Sequence, residues 1–323
     1  MTRVTAYPRV HACLFDLGLA TPRQYGGVGM AITGPPTIVT AELARRFDVS
    51  GLSSADEGTR RDVDAALERL KSSHELPPVS IVVSSMPPQH LGLGTKTSLV
   101  LAVLTAASRA ASLDVTDAEL QLASGRGGTS GVGVHTFFNG GMVTDGGHRT
   151  DPPRTYRPSS SGRPGSIPPL LGRIAMPTDW SVTLLVPEGL RRAGTDEESA
   201  FVKMTPVPDD EVRETIALAV MGLAASAACH DLGTFATSLR RLQHVGFKAR
   251  EISTQTDAVG ELLDELAELP GCAVGMSSMG PLLFAVSDTR DQPVRQRLAD
   301  VARARRVTVL GPVSFRNQGF DLA

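Results

Sequence analysis

Apolar and polar positions along the chain change period several times, and each change predicts an element. Residues 4–19 mix β-branched and apolar side chains with Arg9, His11 and Asp16, a pattern for one long strand or for two bent near Pro8. Strict alternation puts Arg9, His11 and Cys13 on one face and Val10, Ala12 and Leu14 on the other. Residues 28–32 and 37–41 read as a hairpin around Pro35-Pro36, with a turn at Gly26-Gly27. Val63, Ala66, Leu67 and Leu70 recur at helical spacing behind Ser54 and Glu57, which have the form of a capping box, so a helix is expected over about 55–73. A buried strand over 79–86 stops at Pro87-Pro88, and an apolar helix over about 95–111 is entered directly from a glycine loop. Thr116 with Glu119 opens a short helix to about Ser124.

The second half changes character. It predicts a strand over 180–186, an alanine-rich helix over 209–230, helices over 232–246 and 257–269, and a strand over 272–276. A glycine turn, a further strand within 277–287, a helix over 293–305 and a strand over 307–313 complete it. Strands and helices in that order suggest a split βαβ, ferredoxin-like α+β unit. Between the halves, residues 150–169 hold six prolines with Ser, Gly and Arg, the composition of a loop or link. A lid there, or a clamp of Arg154, Arg157 and Arg163 over a phosphate, is the functional alternative to a solvated loop.

Composition narrows the function classes. The chain has 323 residues and a formal net charge of −2, with 4% aromatic residues, so neither general attraction to nucleic acid nor base stacking is expected. Three scattered cysteines make no disulfide framework or zinc pattern. The first residues lack an apolar signal segment and no run approaches a membrane span, so a cytoplasmic protein away from membranes is expected. Arginine outnumbers lysine heavily, which makes Lys71, Lys96, Lys203 and Lys248 the more notable.

Chemistry concentrates in two glycine-rich loops. Gly92 and Gly94 lead into a helix beginning Thr95, Lys96, Thr97, Ser98, whose free N–H groups and positive dipole end form an anion site, with Lys96 as a point charge. The spacing is not that of a Walker loop. Residues 125–147 hold nine glycines. Their first part reads as a loop aiming N–H groups at an anion, and residues 137–147 read as a strand turning at Gly140-Gly141 and Gly146-Gly147.

GLGTKTS at a strand-to-helix junction, GGTSGVGVHTFFNGG after a short helix and GMSSMGPLLFAV near the end resemble, in that order, the GHMP kinase superfamily. The resemblance covers nearly the whole chain. It implies an α+β fold: a GHMP-like N-terminal domain like ribosomal protein S5 domain 2 over residues 1–165, carrying the phosphate loops, and a ferredoxin-like domain over 166–323. Kinases of this kind commonly carry SG-x-D, with the Asp as acid-base; aligned on Ser130-Gly131-Val132, that place is Gly133. Five blocks, RVHACLFDLG, RQYGGVGMAI, PQHLGLGTKTSL, RGGTSGVGVHTFFNGGMVTDGG and SSMGP, are similar to the β-ribofuranosylaminobenzene 5′-phosphate synthase family.

That resemblance implies a glycosyltransferase joining phosphoribosyl pyrophosphate to an aromatic carboxylate through a C–C bond, with loss of pyrophosphate and CO2. 4-Aminobenzoate or 4-hydroxybenzoate in methanopterin synthesis is one acceptor class. An aminopyrazole dicarboxylate in C-nucleoside antibiotic pathways is another, and the Arg- and Ala-rich composition suits it. Gly92, Gly94, Thr95, Lys96, Thr97 and Ser98 are then expected to cradle pyrophosphate. Arg126, Gly127, Gly128, Thr129, Ser130 and Gly131 would hold the other phosphate. His11, Asp16, His135 and Asp145 are the catalytic candidates, Asp16 and Asp145 also as Mg²⁺ ligands. Arg9, Arg23, Gly26 and Gly27 are expected near the acceptor or sugar, with Ser277, Ser278 and Gly280 closing the site from the second domain. Mg²⁺ is the expected cofactor, no ATP is expected, and a homodimer is the family's expectation. The alternatives are an ATP-dependent small-molecule kinase and a catalytically silent binding protein.

Overall fold

The computed structural model describes residues 1–150, 156–158, 166–191 and 194–323. The first apolar stretch forms two strands, Thr2–Ala6 and Arg9–Asp16, and they enter different sheets. Thr2–Ala6 lies between Thr37–Leu43 and Asp321–Leu322, in a sheet completed by Val79–Ser85 and Asp48–Ser50. Arg9–Asp16 pairs with Arg23–Ala31, which pairs with Met142–Asp145, and that strand with Leu170–Ile174. The expected hairpin over 28–41 is therefore not formed. Each of its strands pairs elsewhere: Arg23–Ala31 matches Arg9–Asp16 from Arg9↔Ala31 to Asp16↔Tyr25, while Thr37–Leu43 is held on both sides. The face alternation of Arg9–Asp16 is also interrupted, by a register shift between His11 and Cys13.

Helix Glu57–His74 buries Val63, Ala66, Leu67 and Leu70 as its spacing predicts, but its cap is Asp56, whose carboxylate accepts from Thr59 N–H at 2.6 Å. Ser54 takes no part in the cap. Helix Thr95–Ala110 is buried on most sides, against the sheet strands Thr2–Ala6 and Thr37–Leu43 and three neighbouring helices. A helix whose middle, residues 99–107, is buried all round is a core element. The capping box of Thr116 and Glu119 is present on helix Asp117–Ser124. Residues expected as strand from Phe137 onward are divided between helix Val132–Asn139 and strand Met142–Asp145. Phe137 stacks on Phe320 at 4.9 Å and meets Phe138 edge-on, so side-chain packing on one helical face overrides the glycine-rich local signal.

In the second half, strands Trp180–Val186, Cys272–Met276, Leu283–Asp288 and Thr308–Ser314 make one antiparallel sheet. Its spatial order is second, third, first, fourth, the ferredoxin-like arrangement expected. The expected helix 232–246 stops at Gln243, and a separate helix, Gly246–Ser253, follows. Helix Asp209–Ala217 continues through a π-helical segment, Leu218–Ala224, into Ala225–Cys229. By length and composition alone this run could cross a membrane, but it packs against helix Leu232–Gln243, as a core helix does.

Strand pairs cross the expected division at 165/166. Leu170–Ile174 joins a first-half sheet, and Asp321–Leu322 returns to pair with Thr2–Ala6. One apolar cluster also runs through both halves, with Val10, Val28 and Met30 packed with Val182, Leu184, Leu239 and Phe284.

Candidate active site

A cleft of about 730 Å³ opens where the two glycine loops meet the second half. Gly92 and Gly94 have φ of +90° and +73°. A Cβ on Gly92 would lie 2.2 Å from the Ser277 carbonyl oxygen, so only glycine lets the two chains approach. Gly94 caps helix Thr95–Ala110 without a side-chain hydrogen bond, which leaves first-turn N–H groups at the helix start, where Thr95, Lys96 and Thr97 line the cleft. Lys96 Nζ lies 3.1 Å from Asp62, and Arg126 donates to Thr97 Oγ1 at 3.2 Å. Burial lowers the Arg126 guanidinium, with Asp62 and Glu197 opposing. Thr129, Ser130 and Gly127 complete this wall. Gly128, Gly131 and Ser98 are not among the lining residues; Ser98 reaches back to the Tyr7 carbonyl at 3.4 Å.

The opposite wall comes from strand Arg9–Asp16 and the Ser278–Gly280 turn. Arg9 donates to the Gly92 carbonyl and packs across Gly94, and its Nε is buried without a hydrogen-bond partner among the described residues. Burial, then the nearby Arg126, lowers Arg9 to about 10. Ser277 is fully buried behind the lining and acts as a latch: its Oγ donates to Gly92 O at 2.7 Å and accepts from His11 N–H at 2.9 Å. Ser278 N–H donates to His11 O at 3.0 Å. His11 lines the cleft, and burial, then Arg9 and Lys248, hold it well below the usual imidazole range, so the ring is neutral. Its Nε2 lies 3.2 Å from Ser130 Oγ, and Ser130 donates to Asp145 Oδ2 at 3.0 Å.

Several predicted residues serve the scaffold instead. Asp16 caps its own turn, accepting from the N–H groups of Gly18, Ala20 and Thr21. Arg23 staples the carbonyls of Gly146 and Gly147. His135 contacts the Pro168 carbonyl at 2.9 Å, and burial lowers its basicity. Asp16, Arg23, His135 and Asp145 are not among the residues lining the cleft. Gly26 and Gly27 lie in the strand behind it, and the bare Gly27 makes room for the His11 ring. Arg154 and Arg163 lie outside the described residues; the exposed Arg157 is 3.9 Å from Glu198.

Asp16 and Asp145 do not fit a protein-held Mg²⁺. Asp16 spends both oxygens on backbone donors, and Asp145, fully buried, spends its own on Ser130 and Gly147. Among the described residues no group of three His, Cys, Asp or Glu side chains is placed to hold a metal.

The structure also brings in groups the sequence reading passed over. Asp56 and His90 pair at 2.8 Å on the cleft wall, and Asp62 sits between the Lys96 and Arg126 cations. Glu251 lines the cleft from the second half and forms a buried ion pair with Lys248, which also donates to Ser278 O at 2.9 Å. Burial raises the Glu251 carboxyl, with Lys248 opposing. The scarcity of lysine was the only sequence signal for this pair.

Two uncapped glycine loops at one cleft, beside a ferredoxin-like unit, define a GHMP-type protein. Residues 61–141 match the model of the GHMP kinases N terminal domain. Homoserine kinase from Cytophaga hutchinsonii superposes with a TM-score of 0.73 at 15% identity, over 100% of this chain and 97% of that one. Streptococcus pneumoniae phosphomevalonate kinase gives 0.70 at 12% identity, over 97% and 99%. At such identities the likeness concerns the fold. Sequence is more specific. The chain is 34% identical over 300 residues to a beta-ribofuranosylphenol 5′-phosphate synthase of Archaeoglobus fulgidus, covering 93% of this chain and 92% of the relative. It is 30% identical over 317 residues to that of Methanothermobacter thermautotrophicus, covering 96% and 95%. The chain belongs to the β-ribofuranosylphenol 5′-phosphate synthase family, and is a pentosyl-transferring enzyme.

Proposed function

We propose that the enzyme joins ribose 5-phosphate from phosphoribosyl pyrophosphate to the ring carbon of an aromatic carboxylate, releasing pyrophosphate and CO2. The observation that carries this reading is the pairing of an intact cationic cradle with a missing acid. Lys96, Arg126 and the start of helix Thr95–Ala110 face the cleft, whereas Gly133, where the kinase pattern has aspartate, offers only an α-carbon. A Cβ there would meet Thr97 at 3.3 Å, so the position fronts the cradle but supplies no proton acceptor. Asp62, nearby, is held by Lys96 and Arg126.

As the C1–O bond breaks, negative charge grows on the departing diphosphate. Fixed donors in a partly dry cleft stabilise that charge more than they stabilise the ground state. The helix start, Lys96 and Arg126 fill this role, and the orphan Nε of Arg9 is a further donor. The backbone of the loop over residues 127–130 receives the 5′-phosphate end, because the Thr129 and Ser130 hydroxyl protons are already given to Arg157 O and Asp145. The aromatic ring enters against His11 and Met279, driven by its own hydroxyl or amino substituent. The relatives' product is a phenol by name, which favours 4-hydroxybenzoate over 4-aminobenzoate or an aminopyrazole dicarboxylate. The enzyme works in the cytoplasm as a homodimer, in methanopterin-type synthesis or, with the pyrazole acceptor, C-nucleoside synthesis.

The test is pyrophosphate and CO2 release from phosphoribosyl pyrophosphate with each of the three acceptors. Equimolar release with one of them supports the proposal. ADP formed from ATP and a sugar or amino alcohol, with no pyrophosphate release from any acceptor, would replace it by the kinase reading.

A further inference from the structure

A hydrogen-bonded chain runs from the protein interior to the cleft. Asp145 is fully buried, and its Oδ1 accepts from Gly147 N–H at 2.9 Å. Its Oδ2 accepts from Ser130 Oγ at 3.0 Å. Ser130 Oγ also accepts from Val132 N–H at 3.2 Å and stands 3.2 Å from His11 Nε2. A hydroxyl has one proton and two lone pairs. The carboxylate can only accept, so the Ser130 proton points to Asp145. Val132 takes one lone pair, and the other is left for a donor. His11 Nε2 must therefore carry its proton.

We infer that Asp145 and Ser130 lock His11 as the Nε2–H tautomer, so that Nδ1 takes and later returns the proton of the aromatic acceptor's ring hydroxyl or amino group. The inference rests on the reaction proposed above for the identity of that acceptor. His11 stays neutral because burial and the neighbouring Arg9 and Lys248 oppose a further charge. Besides Ser130 Oγ, the ring meets its own backbone carbonyl, which also accepts from Ser278 N–H. The locked ring also sits on the bare α-carbon of Gly27, where a Cβ would come within 3.3 Å of Nε2.

The proton balance closes on the chain's own residue. The ring carbon bearing the carboxylate attacks C1 of the ribose, and the C1–O electron pair leaves with diphosphate. The ring hydroxyl loses its proton to Nδ1 as its oxygen becomes a carbonyl. The carbon–carboxylate bond then breaks, CO2 departs, and its electron pair restores the aromatic ring. The phenolic oxygen recovers the proton from His11, which returns to its starting form. Asp145 and Ser130 never touch substrate through this proton; they are positioning residues.

Asp145→Asn tests the lock by putting a donor where the carboxylate accepts from Ser130. Gly147 N–H holds the amide oxygen in place, so the amide N–H₂ faces Ser130. Ser130 then has two donors and must give its own proton to His11 Nε2, which reverses the tautomer. The expected result is pyridine-type nitrogen-15 resonance for Nδ1 of His11 in the unliganded native protein, assigned by its loss in His11→Gln. In Asp145→Asn it should move to Nε2, with kcat down about 100-fold, the scale of a lost general base, and KM little changed. A pyrrole-type Nδ1 in the native protein would overturn the inference, as would a reversed tautomer with native kcat. The native spectrum decides the tautomer even where the variant does not fold. The predicted spectrum without turnover of any aryl carboxylate would leave the lock standing and reject the reaction.

Discussion

Replacing Lys96 with alanine separates a phosphate cradle from an ordinary helix start. Lys96 Nζ is 3.1 Å from Asp62, and its side chain is 22% exposed. A unit charge pair at ~4 Å in an effective dielectric of ~20 is worth about 4 kcal/mol. Asp62 already neutralises part of the lysine's charge and solvent screens the rest, so roughly half of that remains for diphosphate, about 2 kcal/mol, or about 30-fold in Kd. A lysine merely decorating the surface would contribute about 0–1 kcal/mol, less than about fivefold. Titration calorimetry with phosphoribosyl pyrophosphate at fixed ionic strength reads the difference. Asp62→Asn is the internal control: freeing Lys96 and Arg126 from their shared carboxylate should leave affinity equal or higher. An affinity for Lys96→Ala within about threefold of native would refute the cradle, because it falls in the range of a lysine on the surface and well short of the about 30-fold expected.

Gly92→Ala, which needs φ of +90° and places a Cβ 2.2 Å from Ser277 O, should cost about 3 kcal/mol or more in urea unfolding; a cost below about 1 kcal/mol would mean the latch is loose. Gly133→Asp fits beside Thr97 but adds negative charge to the cradle, so phosphoribosyl pyrophosphate should bind about tenfold more weakly, with no ADP formed from ATP. Lys248→Met leaves Glu251 buried without its partner and should cost about 3–5 kcal/mol, most of it recovered in Lys248→Met/Glu251→Met; equal instability of the single and double variants would contradict this. Burial raises the Asp145 carboxyl from 3.8 to about 6, hydrogen bonds from Gly147 and Ser130 notwithstanding. Its contribution therefore favours the folded state below pH ~4 and is lost as pH rises through about 6, by up to about 3 kcal/mol. Asp145→Asn should remove this loss, so its stability relative to native should improve between pH ~4 and ~7; a pH-independent difference would argue against a buried charge.

Local rules located the parts of this molecule that local rules govern. The helix start at Thr95, the capping box of Thr116 and the strands Trp180–Val186 and Cys272–Met276 follow from residues close together in sequence. Sheet membership does not. Nothing near residues 28–41 announces that two adjacent strands have their partners in Arg9–Asp16 and Thr2–Ala6, since pairing is decided by register with distant chain. Flanking glycines point to strand at Phe137 and Phe138, and contacts of both rings with Phe320 near the other end of the chain hold them in a helix.

The same division holds at the cleft. Lys96 and Ser130 carry motif signals and are found on its wall. Asp16, Arg23 and His135 have the chemistry of a site, but their partners are backbone groups of nearby turns and loops, which composition cannot distinguish from ligands. Glu251 and Asp62 lie on helices as unremarkable charges, and only tertiary placement brings them to the cradle.

The most direct measurement uses phosphoribosyl pyrophosphate labelled with heavy carbon at C1, incubated with 4-hydroxybenzoate labelled at the ring carbon bearing the carboxylate. The account predicts a product whose two labelled carbons show one-bond coupling, with pyrophosphate and CO2 released in equal amounts. A product linked through oxygen, retained carboxylate, or phosphate transferred from ATP with C1 untouched would contradict it.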